Sequence, residues 1–141
     1  MTLSATVRVR TYELDSFGHV NNAVYLQYAE EARSEYLIQL GMSFHDFARY
    51  VVHLVIVEAS VRYHSAARYG DVLEIVGQFR DVRPVTTVID YTMTEQTTGR
   101  LVATATTRGA FVSAATGKPT RAPEAFRLAF LAAASPAAAP E

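Results

Sequence analysis

The sequence predicts an α+β protein, with a long antiparallel sheet wrapped around one central helix. Three observations carry this. Ala23 to Leu40 is a single long stretch with helical periodicity. Tyr50 to Val112 is almost continuously strand-like, broken only by short turns. The chain has 141 residues, half of them apolar, which suits one domain with a full core.

Each element has a local reason. Val7 to Tyr12 alternates and is rich in strand formers, so a first strand is expected there. By the same alternation Glu13 should still belong to it. Asp15 to Asn21 reads as a loop with Gly18 at its bend, and Asn21 or Asn22 as the helix cap. In the helix, Tyr25, Tyr28, Ala29, Ala32, Tyr36 and Leu40 share one face. Gln27, Glu30, Glu31, Ser34, Glu35 and Gln39 share the other. Gly41 is a natural stop, and a short helical turn is expected at Phe44–Ala48. Val51–His64, Val72–Val82, Val85–Gln96 and Leu101–Val112 read as strands. Arg83-Pro84 and the hairpin Thr97-Thr98-Gly99-Arg100 separate the last three, which must be antiparallel neighbours. Pro123–Leu131 reads as a short helix. The domain is placed at residues 1–131, with 132–141 as an Ala/Pro-rich disordered tail. A sheet of this kind leaves an edge and a face that a homo-oligomer would cover.

Composition excludes several classes. There is no cysteine, hence no disulfide, thiolate nucleophile or Cys-based zinc site. The formal charge of −1 argues against nucleic acid as a partner. Met1 to Thr6 holds no apolar signal-peptide core, and no apolar run approaches the ~20 residues that span a bilayer, so a soluble cytoplasmic protein without membrane attachment is expected. His19, His45, His53 and His64 lack close metal-ligand spacing, so no metal is expected. No Walker or dinucleotide motif implies a cofactor. Gly41-Met42-Ser43-Phe44-His45 lacks the second glycine of a serine-hydrolase elbow and follows a helix. Lys118 is the only lysine among 13 basic residues. The arginines read as surface charge or as forked donors for a phosphate.

The chemistry concentrates in Tyr12-Glu13-Leu14-Asp15-Ser16-Phe17-Gly18-His19-Val20-Asn21-Asn22-Ala23-Val24-Tyr25-Leu26. A loop entering a helix N-terminus offers free N–H groups and partial positive charge. The N–H groups of Asn22 and Ala23 could polarise a carbonyl. A nearby carboxylate, Asp15, could attack that carbonyl or deprotonate a water. Asp15 could equally be a turn residue, and Asn21 and Asn22 could be caps. His19 could orient Asp15, bind substrate or satisfy loop backbone. Tyr25, in the first helical turn, faces the loop. Glu58 lies in an apolar strand run and reads as a pocket residue, a surface residue or a partner for Arg62.

The same stretch resembles hotdog-fold acyl thioesterases of the 4-hydroxybenzoyl-CoA thioesterase-like group. Gly18-His19-Val20-Asn21-Asn22 resembles the acyl-ACP and long-chain acyl-CoA branch. Tyr63-His64-Ser65-Ala66-Ala67-Arg68-Tyr69-Gly70-Asp71 is similar to the family's Pro-Ala-Arg-x-Gly-Asp turn, with Ala66 where proline is common. The resemblance implies a hotdog fold and hydrolysis of an acyl-CoA or acyl-ACP thioester, with Asp15 catalytic. It implies that the Asn22 N–H is the oxyanion donor and that His19 and Asn21 are pocket residues. It also implies a homodimer or homotetramer with the site at the subunit interface. Val57, Glu58, Ala59, Ser60 and Val61 of the second subunit would complete the acyl pocket. Arg62, Arg68 and Arg108 are candidates for the nucleotide part of CoA. Two other classes are compatible with an Asp and a His on one loop: a non-catalytic acyl-thioester-binding module, and a hotdog hydratase or dehydratase. The offset from Asp15 to His19 fits the latter poorly.

Overall fold

The computed structural model describes residues 2–134. Within them, strands β1 (Leu3–Arg8), β2 (Val52–Tyr63), β3 (Val72–Arg80), β4 (Thr86–Glu95) and β5 (Leu101–Ser113) form one sheet. Its order is β1-β3-β4-β5-β2, and every neighbouring pair is antiparallel. The helices are α1 (Val24–Gln39), α2 (Phe44–Tyr50) and α3 (Glu124–Ala134).

Helix α1 buries the face that its periodicity marks: Tyr25, Tyr28, Ala29, Ala32 and Tyr36, joined by Leu37. Tyr36 sets its depth. The Tyr36 hydroxyl donates to the Ile75 carbonyl at 2.6 Å, and its ring stacks on Tyr91 at 6.2 Å. A Cβ at Gly77 would overlap that ring, so the glycine is a packing requirement. Leu73, Ile75, Gly77 and Phe79 share this face of β3 by strand alternation. Phe79 continues the face to α3, whose Phe130 lies 4.8 Å away between ring centres. Phe126 and Phe130 of α3 also pack on Phe111 of β5. The opposite face is polar: Asp90 accepts from the Thr106 hydroxyl at 2.7 Å, and Arg108 pairs with Glu58 at 3.1 Å.

Three expectations are corrected. The first strand lies earlier, at Leu3–Arg8, because Leu3, Ala5 and Val7 provide its buried alternation. Glu13 is not in it. Thr11–Glu13 forms a single 3₁₀ turn, and the buried Glu13 carboxylate accepts the Arg10 N–H at 2.8 Å and the Tyr28 hydroxyl at 2.7 Å. The last helix runs through Ala134, with Ala133 buried, so residues 132–134 are helix and not tail. The remainder of the expected tail, residues 135–141, lies outside the described residues. Helix α2 begins in a capping box, with the Ser43 Oγ accepting the His45 N–H and the Asp46 carboxylate accepting the Ser43 N–H.

Strand β2 is an edge, exposed along most of both faces. It presents Val55, Ile56 and Val57 at 37%, 39% and 54% exposure. Its pairing with β5 shifts between Ile56 and Glu58, a bulge at Val57.

Two consequences can be measured. Gly77→Ala should cost about 3 kcal/mol in urea denaturation, the upper range for overpacking, because the Tyr36 ring must leave its place. The second concerns the β4–β5 hairpin. The Glu95 carboxylate accepts the N–H of Thr97 (2.9 Å), the hydroxyl of Thr98 (2.7 Å) and the N–H of Thr98 (2.9 Å). These bonds hold its pKa down to about 2. A carboxylate depressed on folding stabilises the protein fully above its unfolded pKa and loses that contribution as pH falls through the folded value. Wild type should therefore melt above Glu95→Gln near neutral pH, and the two curves should converge between about pH 5 and pH 2.

Candidate active site

Asp15, His19, Val20, Asn22, Tyr25, Tyr63, His64, Ser65 and Ala66 line one cleft, at the point where the 15–21 loop enters α1. The loop is a closed hairpin. The Asp15 N–H donates to the His19 carbonyl at 2.7 Å, and Gly18 takes φ +79° at the turn.

The structure shows the turn reading of Asp15 directly and leaves its second oxygen open. Oδ1 accepts the N–H groups of Phe17 (2.8 Å) and His19 (3.1 Å), which is the turn role. No hydrogen bond or ion pair of the described residues engages Oδ2. The residue is half-buried on the cleft wall, so Oδ2 is the oxygen left for chemistry.

The backbone N–H groups that follow are nearly all committed. His19 donates to Asp15 Oδ1 and Val20 to the Ala67 carbonyl at 2.9 Å. Asn21 donates to the Glu13 carbonyl at 2.9 Å and Val24 to the Asn21 carbonyl at 2.9 Å. The Ala23 N–H donates to the Asn21 side-chain Oδ1 at 3.0 Å. From His19 to Val24 only the Asn22 N–H has no partner among the described residues. It lies at the positive end of α1, next to the Asp15 carboxylate in the same cleft. Of the two expected carbonyl-polarising donors, Asn22 is therefore open among the described residues, whereas the Ala23 N–H is held by Asn21 Oδ1. The expected cap at Asn21 or Asn22 is corrected: the N-cap position of α1 is Ala23, which makes no side-chain cap bond, and Asn21 closes a turn ahead of the helix.

Other candidates divide. Tyr25 is buried under the cleft, and its hydroxyl accepts the Ala67 N–H at 3.2 Å. Burial pushes the Tyr25 pKa up, so the phenol stays protonated. Arg68 reaches the cleft rim, with its guanidinium 3.4 Å from His19 Nε2. A guanidinium only donates, so this contact requires Nε2 to be the unprotonated nitrogen. Glu58, Ala59 and Ser60 do not join this cleft within one chain; they line a separate hollow with Arg80, Val88, Thr106 and Arg108. Glu58 pairs with Arg108, not Arg62, and Arg108 is further shared with Asp81 at 3.7 Å. Val57 and Arg62 are exposed on β2 and also lie outside the cleft.

Tyr63, His64, Ser65 and Ala66 were not singled out as site residues from sequence. The Tyr63 hydroxyl donates to the Asn22 carbonyl at 3.0 Å, and its ring meets Tyr25 edge-on at 5.3 Å. Arg100 secures the turn behind them by donating to Ser65 Oγ and to the Ala66 carbonyl, both at 2.8 Å, and to Asp71 at 3.2 Å. The signal present in the sequence was the Tyr63–Asp71 turn motif, but nothing in it says that the turn faces the Asp15 loop.

Removing the Asn21 turn bond should be felt in stability. Asn21→Ala should lower the unfolding free energy by about 1 kcal/mol in chemical denaturation, the usual net worth of one hydrogen bond, because the Ala23 N–H loses its acceptor.

Comparison with known proteins agrees with this geometry. The model of the thioesterase-like superfamily matches residues 9–130. The long-chain acyl-CoA thioesterase FadM of Escherichia coli is 31% identical over 103 residues, covering 73% of this chain and 77% of FadM. The chloroplastic acyl-acyl carrier protein thioesterase ATL3 of Arabidopsis thaliana is 43% identical over 65 residues. That match covers 46% of this chain and 34% of ATL3, so the chain spans about a third of this relative. Among solved structures, Slr0204 of Synechocystis, a 1,4-dihydroxy-2-naphthoyl-CoA thioesterase, superposes with a TM-score of 0.85 at 21% identity, covering 93% of this chain and 96% of that one. YbaW of Escherichia coli, a probable thioesterase, superposes with a TM-score of 0.78 at 26% identity, covering 94% and 98%. With its five-stranded antiparallel sheet around α1, the chain has the hotdog fold and belongs to the thioesterase-like superfamily.

Proposed function

We propose that the protein hydrolyses acyl thioesters, taking an acyl-CoA or an acyl-carrier-protein ester to a free acid and a thiol. The observation that carries this is the pairing of one open donor with one open acceptor. Among the described residues the Asn22 N–H and Asp15 Oδ2 have no partner, and both residues line the same cleft. A thioester carbonyl placed there would have its oxygen on the Asn22 N–H, at the positive end of α1. Asp15 Oδ2 would attack the carbonyl carbon, or take a proton from the water that does so. In either route the oxygen gains negative charge as the tetrahedral centre forms, and the Asn22 N–H stabilises it. The C–S bond then breaks and the thiolate leaves, taking up the proton released from water; in the route where Asp15 itself attacks, that water next hydrolyses the acyl-Asp15 anhydride, which frees the acid and restores the carboxylate. FadM and ATL3 support the substrate class by their names, one for each carrier.

The open edge of β2 supports a homo-oligomer. Pairing of two β2 edges would continue the sheet and cover Val55, Ile56 and Val57, which are otherwise exposed. It would also bring Val57 to Val61 of a second copy toward the Asp15 cleft, giving the acyl group apolar walls that one chain alone lacks.

The test is thiol release from a panel of short, long, branched and aromatic acyl-CoAs, comparing wild type with Asp15→Asn. Asparagine retains an oxygen for the Phe17 and His19 N–H groups, so the loop should survive while the charge is lost. Hydrolysis should fall about 10²–10⁴-fold, the usual range for loss of a catalytic base. Full hydrolysis by Asp15→Asn would overturn the assignment. Stoichiometric acyl-CoA binding without turnover by wild type would identify a binding module instead.

A further inference from the structure

We infer that Tyr63 is a positioning residue for the oxyanion donor: its hydroxyl clamps the Asn22 carbonyl and so steadies the backbone that carries the open Asn22 N–H at the cleft. The inference rests on the thioester-hydrolase reading above.

The geometry is that of a residue pinned on both sides. Ahead of Asn22, the Asn21 carbonyl accepts the Val24 N–H at 2.9 Å, which fixes the peptide that carries the Asn22 N–H. Behind it, the Asn22–Ala23 peptide is held at both of its polar ends. Its N–H donates to Asn21 Oδ1 at 3.0 Å, and its carbonyl accepts the Tyr63 hydroxyl at 3.0 Å. Local bonds within the turn supply every constraint but the last. Among the described residues Tyr63 is the one group from outside the loop and helix to bind this peptide, and it comes from the far end of β2, 41 residues along the chain.

Tyr63 is itself well anchored. Its ring packs edge-on against the buried Tyr25 at 5.3 Å. Tyr25 in turn accepts the Ala67 N–H, and Arg100 holds Ser65 and Ala66 by two bonds of 2.8 Å each. A rigid turn therefore presents the Tyr63 hydroxyl to the loop. This matters because Asn22 and Ala23 are exposed, so no core packing fixes their backbone. Residues at such a position would sample several φ/ψ wells without a tertiary bond. A donor that must be reoriented during the reaction stabilises the developing charge less than one already aimed, and a displacement of about 1 Å can cost ~10²-fold in rate. The clamp acts through Asn22 and need not touch the acyl group. Its loss should therefore appear in the chemical step and not in substrate binding.

Tyr63→Phe deletes only the hydroxyl and keeps the ring against Tyr25. With an acyl-CoA that wild type hydrolyses, kcat should fall about tenfold while KM stays within about twofold, a split expected when only transition-state stabilisation is lost. Tyr12→Phe, at an exposed tyrosine outside the cleft, is the control and should match wild type. The backbone amide of Asn22, followed by ¹⁵N NMR, gives a readout that needs no turnover. In Tyr63→Phe its resonance should shift and broaden, while core amides such as Ile75 stay in place. A Tyr63→Phe protein with wild-type kcat overturns the clamp. So does an unchanged Asn22 resonance, even if wild type hydrolyses none of the esters and the thioesterase reading itself fails. A fall in thermal stability with kcat intact would also overturn it, by making Tyr63 an ordinary packing residue.

Discussion

The close approach of α1 to the sheet at Gly77 governs the rest of this structure. A glycine on a central face lets the Tyr36 ring lie against backbone, so that its hydroxyl reaches the Ile75 carbonyl at 2.6 Å. Burial pushes the Tyr36 pKa up, so this donor stays protonated. With α1 seated at that depth, small residues such as Ala29 and Ala32 suffice between larger ones, and both are fully buried. The N-terminus of α1 then emerges beside the Tyr63–Asp71 turn. Packing in the middle of the helix thus decides where its charged end meets the rest of the chain.

At that end, nearly all backbone N–H groups from His19 to Val24 are satisfied, and among the described residues Asn22 is the exception. Glu13 contributes twice: its carboxylate holds the Tyr28 hydroxyl, and its carbonyl holds the Asn21 N–H. Burial, and then the Glu13 bond, raise the Tyr28 pKa, so the phenol remains a donor to the carboxylate. The turn bonds of Asp15 and Asn21 occupy the N–H groups of Phe17, His19 and Ala23, and among the described residues they leave the Asn22 N–H and Asp15 Oδ2 open. An unpaired donor at a helix start is where a carbonyl is best polarised, because the helix field adds to the local bond.

The two faces of the sheet serve different ends. The face toward α1 and α3 is aromatic and closed. The other carries crossed ion pairs, in which Arg108 serves Glu58 and Asp81, and Arg83 serves Asp81 at 2.9 Å. Arginines occupied in this way are poorly placed to hold a phosphate. Arg68 lies apart from these pairs, beside His19.

Much of the architecture was legible in the sequence, since strand alternation and helical periodicity are local signals that burial merely ratifies. The strands from Val52 onward, the hairpin at Thr97–Arg100 and the buried face of α1 follow from residue spacing. The turn role of Asp15 and the open Asn22 N–H follow from the fixed set of unsatisfied groups where a loop enters a helix, whereas the cap expected at Asn21 or Asn22 falls at Ala23 because the first helical turn starts later. Glu13 was misread because alternation alone cannot reveal that a helix tyrosine will capture its carboxylate. The helical residues Ala132 to Ala134 were misread because alanine-rich sequence suits a tail or a helix equally until Phe126 and Phe130 find Phe79 and Phe111 to pack on. Tyr63 could not be assigned at all. Its bond to Asn22 joins residues far apart in the chain, and only folding of the sheet brings them together. The sequence by itself determined which groups are present and which local bonds they make; the tertiary structure decided which donor and which acceptor remain free, because that depends on every long-range partner having already been found.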